Sequence, residues 1–385
     1  MVSEMADGAF KYEDCLLKHH VRTHAWLPLC KRRLKTIRHT STGKKQRRLR
    51  YFTFCAVGAI DVLMLDVAKV ICRSESRGFD NVVFFDKSPE FVLETQKSIP
   101  GAIGFPGNFV NVVLLEDLDE DDVVDATSYL SSPTDAADEY LVRERQRMLA
   151  KRHSFIQRFP FDVINLDLEQ FLFQPKHDLP GKIINAFRKV FQWQQRPLIN
   201  GDKLSGFSLM FTTQIGPPDI TDEYLNMLHS NLQTNIDADA SLKDCLTKYI
   251  GHADLNKLRS EHFEIFFKLG MPKIFASTLM EADWYVDSEK GISIFEFERP
   301  SDCGPYKILH LVMDVKRKEP PKEKRPPLTH SAVAQKAYRD VVRKIFCEDI
   351  AVVSDGNIDK ASLQQNLELI KSRRKKYYPE AYAEN

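Results

Sequence analysis

The run Tyr51-Phe-Thr-Phe-Cys-Ala56, the glycine at 58 and the apolar stretch on to about Cys72 constrain the chain more than any other feature. The first six residues have the aromatic, half-apolar character of a buried strand, and Gly58 supplies a tight turn before a helix. A second run, Asn81-Val-Val-Phe-Phe-Asp86, follows and ends on an acid. Strand, tight turn, helix and a second strand ending in Asp is how a doubly wound α/β domain builds a pocket for a nucleoside-containing cofactor.

The alternation continues downstream. Ser88, Pro89 and Glu90 supply an N-cap, a first-turn proline and a first-turn acid, so a helix is expected from there to about Ser98. Residues 100–108 read as a loop and Phe109 to Leu115 as a third strand. A charged helical insertion is expected over Thr127 to Arg158, peripheral or lid-like rather than core. Phe161 to Asp167 reads as a strand, Gly181 to Trp193 as an amphipathic helix and Phe207 to Thr213 as a strand. Residues 219–280 read as helical, with the Phe263, Phe266 and Phe267 face read as core. Gly291 to Glu298 and Tyr306 to Val315 then read as an antiparallel pair. A charged, proline-rich linker leads to helices from about Ser331 to Phe346 and at the C-terminus.

The expected fold is therefore α/β: a doubly wound, mostly parallel sheet with an antiparallel terminal hairpin, a helical insertion and a helical C-terminal region. Four parts are anticipated: a basic leader over 1–48 with helix around Tyr12 to Lys35, a core over 49–218 with its insertion at 116–158, a segment over 219–316 that completes or extends the sheet, and a charged tail over 317–385.

At 385 residues and 43% hydrophobic content the chain can fill such a core. No apolar run approaches a membrane span, and Glu4, Asp7 and Lys11 interrupt any signal-peptide pattern. Seven scattered cysteines without a C-x-x-C pair support neither a zinc knuckle nor a disulfide framework, and a reduced, cytoplasmic protein is expected. His19, His20 and His24 lack a convincing further ligand, and no residue is assigned to a metal.

The net charge is only +1, but it is unevenly distributed. Lys31 to Arg50 holds ten Lys or Arg and no acid, whereas Glu116 to Asp125 holds seven acids and no base. Lys44, Lys45, Arg47, Arg48 and Arg50 are candidates to grip a nucleic-acid backbone. A solvated charged face accounts for the same residues. The charged insertion and the C-terminal helices are candidate protein-contact surfaces.

Ligands of open α/β sheets bind beyond the carboxyl ends of the strands. Gly58 there lets backbone approach a ligand at a helix N-terminus, or serves the turn alone. Asp86 is placed to accept ribose hydroxyls, or to cap the Ser88 turn. Asn108 is placed to meet an adenine ring, or to form a turn after Gly107. Asp167, and with it Asn165 and Glu169, is expected to face the same crevice, where a carboxylate can hydrogen-bond or deprotonate an amine, or else only caps the following turn; Asp162, at the opposite strand end, reads as structural. No phosphate-binding loop, nucleophile elbow or zinc-protease signature is present.

In order, Phe54-Cys-Ala-Val-Gly-Ala-Ile-Asp61, Val83-Phe-Phe-Asp-Lys-Ser-Pro-Glu90, Pro106-Gly-Asn-Phe109, Phe161 to Asp167 and Phe207 to Thr213 resemble the motifs of class I S-adenosylmethionine-dependent methyltransferases. The similarity is greatest to the tRNA guanine-N2 dimethyltransferase family and covers roughly Tyr51 to Thr213. It implies S-adenosylmethionine as cofactor, with Ala56 and Gly58 along its methionine part, Asp86 on the ribose, Asn108 near the adenine and Asp167 facing the acceptor amine. Two departures stand out. Leu168-Glu169-Gln170 replaces the family's Pro-Phe-Gly, and the first motif lacks a second glycine.

Three functions follow from this reading. The first is a methyltransferase acting on nucleic acid, with the basic stretch holding the phosphates. The second is a catalytically inactive methyltransferase-like binding or assembly subunit, which both departures fit. The third, a nicotinamide-dependent oxidoreductase, lacks the glycines that seat a pyrophosphate.

Overall fold

The computed structural model describes residues 14–40, 47–54, 59–115, 136–168, 180–198, 201–215, 222–238, 240–287, 292–299, 306–317, 351–354 and 356–382. Ala56, Gly58, Lys44, Lys45, Glu169, the acidic run, the proline-rich linker and the helix expected from Ser331 lie outside them.

A single sheet organises these residues. Strands β1 (Tyr51–Phe54), β2 (Val82–Asp86), β3 (Ile103–Pro106), β4 (Val163–Asp167) and β5 (Gly206–Gln214) are parallel. β6 (Trp284–Val286), β7 (Ile292–Arg299), β8 (Tyr306–Arg317) and β9 (Ala351–Val353) extend it. The order is β3-β2-β1-β4-β5-β8-β7-β9, with β6 on β8. β8 runs antiparallel to both β5 and β7, so the terminal hairpin is inserted with its second strand against the parallel core. The result is a Rossmann-like α/β fold whose order reverses between β1 and β4.

Alternation along β5 explains why the sheet is buried on both faces. Phe207, Leu209 and Phe211 point into one core, and Ser208, Met210 and Thr212 point into the other. The first face is aromatic. Phe52, Phe85, Phe105, Phe155, Phe161 and Phe187 meet there beneath helices α5 (Phe109–Leu114), α6 (Ala136–Ile156) and α7 (Pro180–Trp193). Four further helices, α8 (Asp222–Ala238), α9 (Ala240–Ile250), α10 (Leu255–Glu261) and α11 (Phe263–Glu281), close the same side. Phe266 and Phe267 are fully buried in it.

The second face carries α1 (Asp14–Val21), a π-helical turn (Arg22–Trp26), α2 (Leu27–Thr40), α3 (Ile60–Val67), α4 (Pro89–Ser98) and the C-terminal α12 (Lys360–Tyr377). Residues 14–40, which with 47–48 are the described part of the basic leader, bury Leu17, Val21, Trp26, Leu29 and Ile37. α12 is tied down at its end. Arg374 donates to Glu94 at 2.9 Å and Ser98 at 3.0 Å, and the Tyr377 hydroxyl donates to Asp66 at 2.8 Å.

Two expectations fail locally. Phe109–Leu114 is a helix, and the third strand is the preceding Ile103–Pro106. A short apolar run has no period that separates strand from buried helix. Here Asn108 decides the matter, because its Oδ1 accepts the Val110 N–H at 2.9 Å as an N-cap. The insertion, for its part, is not wholly peripheral. Phe155 near the end of α6 is fully buried, with ring centroids 5.2 Å from Phe52, 4.8 Å from Phe85 and 5.0 Å from Phe159.

Phe155→Ala should therefore lower stability by about 3–5 kcal/mol. Urea unfolding of the full chain measures this, and a loss of well under about 1 kcal/mol would mean that α6 does not complete the core.

Candidate functional site

The carboxyl edge of the parallel strands places Asp86 and Asp167 together. Phe54 pairs with Phe85, and Thr53 pairs with Asn165. Phe84 and Asn165 both stand opposite Thr53, so two residues further on Asp86 and Asp167 end their strands on the same face of the sheet. Two strand spacings separate them, about 10 Å. This is the edge where the strand order reverses, the ligand-binding position of open α/β sheets.

Asp86 is half-buried at the end of β2 and accepts the Ser88 N–H at 2.9 Å. Burial raises its carboxyl above the usual carboxylate range, against the pull of that hydrogen bond. Asn108 lies farther out on an exposed turn with its side-chain oxygen engaged in capping α5.

Asp167 is sealed. Lys18 Nζ, reaching down from α1, lies 2.7 Å from its Oδ2, and the Asp167 side chain is only 4% exposed. Burial raises the Asp167 carboxyl, but the Lys18 ammonium and then Arg22 outweigh it and hold the group below the ordinary carboxylate value. Its Oδ1 is buried with no hydrogen-bond partner among the described residues. Arg22, one turn on from Lys18, is buried with its guanidinium 5.6 Å from the Trp26 ring centroid.

Beside this pair lies a second buried polar group. His310 of β8 stands opposite Thr212, which stands opposite Asp167. The Trp26 indole N–H donates to His310 Nε2, and Nδ1 lies 2.7 Å from Thr212 Oγ1. An indole N–H only donates, so Nε2 must accept, and the imidazole is neutral with its proton on Nδ1. Burial lowers its pKa to about 3. Toward the middle of the sheet, Asp61 Oδ2 accepts the Tyr51 hydroxyl at 2.8 Å and the Thr53 hydroxyl at 3.0 Å, and Asn165 Nδ2 lies 3.4 Å away.

The described basic residues lie at the other edge. Arg47 grips Asp162 with two bonds of 2.6 and 2.7 Å. The Arg50 backbone N–H also donates to Asp162, at 2.9 Å, while the Arg50 guanidinium reaches the Arg158 carbonyl and sits over the Phe161 ring. Arg48 pairs with Asp80. These three arginines close the amino ends of β1 and β4, remote from Asp86 and Asp167, and Asp162 is structural as its position at the strand start implies.

Lys18, Arg22, Trp26, Asp61 and His310 were not singled out in the sequence. One signal was present: Lys18 and Arg22 are spaced i, i+4 along the same stripe as Val21, Ala25 and Leu29, so two cations sit where an apolar face is expected. His310 carried no comparable mark, since only the tertiary structure brings it to Trp26, 284 residues away. Compared with protein-family models and with curated proteins, the sequence shows no match to either.

Chemically, the sheet face offers a carboxylate already neutralised by an ammonium group and an imidazole kept neutral by burial. Breaking the first pair leaves a buried charge without compensation. Lys18→Met should destabilise the chain by about 3–5 kcal/mol, and Lys18→Met combined with Asp167→Leu should recover most of that loss. A double-mutant cycle in urea checks it; additive losses would mean the two groups do not depend on each other.

Acid should weaken the same region. His310 and His19 both have pKa values lowered to about 3 by burial, so the native state refuses protons that the unfolded chain accepts below its ordinary 6.5. Stability is then complete above pH 6.5 and falls toward pH 3, by about 1.4 kcal/mol per pH unit for each histidine. Denaturation at pH 7 and pH 4.5 reads this, with His310→Gln removing one histidine's share of the slope.

Proposed function

We propose that this chain is a methyltransferase-like protein that works by binding, as a recognition or assembly subunit, rather than by transferring a methyl group. The observation that carries this reading is the Lys18–Asp167 pair. Asp167 stands where the resemblance puts the carboxylate that meets the acceptor amine, and a covalently attached ammonium group already fills that role at 2.7 Å. A carboxylate held below its ordinary pKa by a cation is a poor base for an incoming amine. The replacement of the family's Pro-Phe-Gly by Leu168-Glu169-Gln170 agrees with lost acceptor chemistry.

A second reading, an S-adenosylmethionine-dependent methyltransferase of nucleic acid, is favoured by Asp86. That residue ends β2 on the same sheet face as Asp167, at the strand-order reversal where a ribose is held in such folds. Turnover on this reading requires Lys18 to withdraw from Asp167, and nucleic-acid contact must come from groups other than the arginines clamped at the amino edge.

Labelled S-adenosylmethionine incubated with the full chain and with RNA or DNA separates the two. No methyl transfer is expected. Transfer that disappears in Asp167→Asn would overturn the binding-subunit reading, and a calorimetric signal for the cofactor that is lost in Asp86→Ala would support the second.

A further inference from the structure

The helical layer on the aromatic face brings three metal-binding side chains together. His252 lies in the short connection between α9 and α10, Glu261 is the last residue of α10, and His262 is the N-cap of α11. One ligand atom from each lies within 4.8 Å of the other two. The cluster depends on the fold: α10 is two turns long and carries Glu261 and His262 back beside the residue that precedes it.

His252 supplies an independent observation. Both of its ring nitrogens are buried, and neither has a hydrogen-bond partner among the described residues. A neutral imidazole carries one donor and one acceptor, and burying both without partners is unfavourable. A cation bound to one nitrogen removes the acceptor half of that deficit. Glu261 and His262 are exposed, so the same cation is reachable from solvent. The N-cap role of His262 uses no side-chain hydrogen bond, which leaves its ring free of that duty.

We propose that His252, Glu261 and His262 bind a zinc-class divalent cation, with a fourth position open to water or an anionic group. Two imidazole nitrogens and one carboxylate suit Zn²⁺ and its late first-row neighbours and do not suit Mg²⁺, which prefers an all-oxygen octahedron. Tetrahedral coordination at zinc distances needs ligand atoms about 3.4 Å apart. Small side-chain rotations at Glu261 and His262 close the remaining gap. The bound ion would join the α9–α10 connection to the α10–α11 junction and brace the helical layer. This assignment departs from the sequence expectation of no metal and does not rest on the methyltransferase resemblance.

The test uses the full chain, stripped with a chelator and titrated calorimetrically with Zn²⁺, in parallel with Co²⁺ followed by visible absorption. A single equivalent of Zn²⁺ should bind, and Co²⁺ should develop the intense visible bands of a four-coordinate site. Glu261→Gln and His262→Ala, both at exposed positions and expected to fold, should each weaken Zn²⁺ binding about tenfold or more. His20→Asn/His24→Asn, which removes the stacked histidine pair of the N-terminal helix, should leave it unchanged. Absence of Zn²⁺ uptake, unaltered affinity in His262→Ala, loss of binding in the His20/His24 variant, or equal binding of Mg²⁺ would each overturn the proposal.

Discussion

Two buried carboxylates at opposite edges of one sheet depend on cations from a single N-terminal segment. Asp167 at the carboxyl edge is held by Lys18, and Asp162 at the amino edge is held by Arg47. A carboxylate removed from water without such a partner is strongly unfavourable, so the sheet and the segment before β1 stabilise each other or fail together. The helical path from α1 through α2 follows from this pairing. It meets Asp167 through Lys18, His310 through Trp26 and Asp314 through Arg32, and so runs lengthwise across the second face of the sheet. In this structure Lys18, Arg32, Arg47 and Arg48 of the segment pair with acids of the chain itself.

The two faces of the sheet are built on different physical terms. The aromatic face is held by burial and ring packing, with Phe52, Phe85, Phe109 and Phe155 in mutual contact. Many such contacts are individually weak and together tolerant of small adjustments. The second face carries a polar stripe of Tyr51, Thr53, Asn165, Thr212, His310 and Ser208, and each member needs a specific partner. Such networks specify one arrangement, because each buried polar member is unfavourable without its partner.

Much of the framework was legible in the sequence. Alternation in Phe207 to Thr213, the Ser88-Pro89-Glu90 helix start and the period change at the terminal hairpin each fix a local conformation through neighbouring residues, and the structure contains all three. Phe109–Leu114 was misread because β-branched and aromatic residues suit either a strand or a buried helix, and a single capping asparagine decided between them. Half of the candidate edge was legible too: Asp86 and Asp167 end their strands on one face, as acids at strand termini suggest. That Asp167 would be sealed was not, since the i, i+4 spacing of Lys18 and Arg22 marks buried cations without naming their partner.

The sequence by itself determined the alternation of strands and helices, the reversal of strand order that follows from it and the positions where acids meet the strand ends. These depend on periodicity and turn chemistry, which act over a few residues. Only the tertiary structure decided which charges neutralise one another, that His310 is neutral, and that His252 gathers Glu261 and His262. Those outcomes arise from desolvation and from contacts between groups distant along the chain or returned to one another by a turn of helix, and no local pattern encodes them.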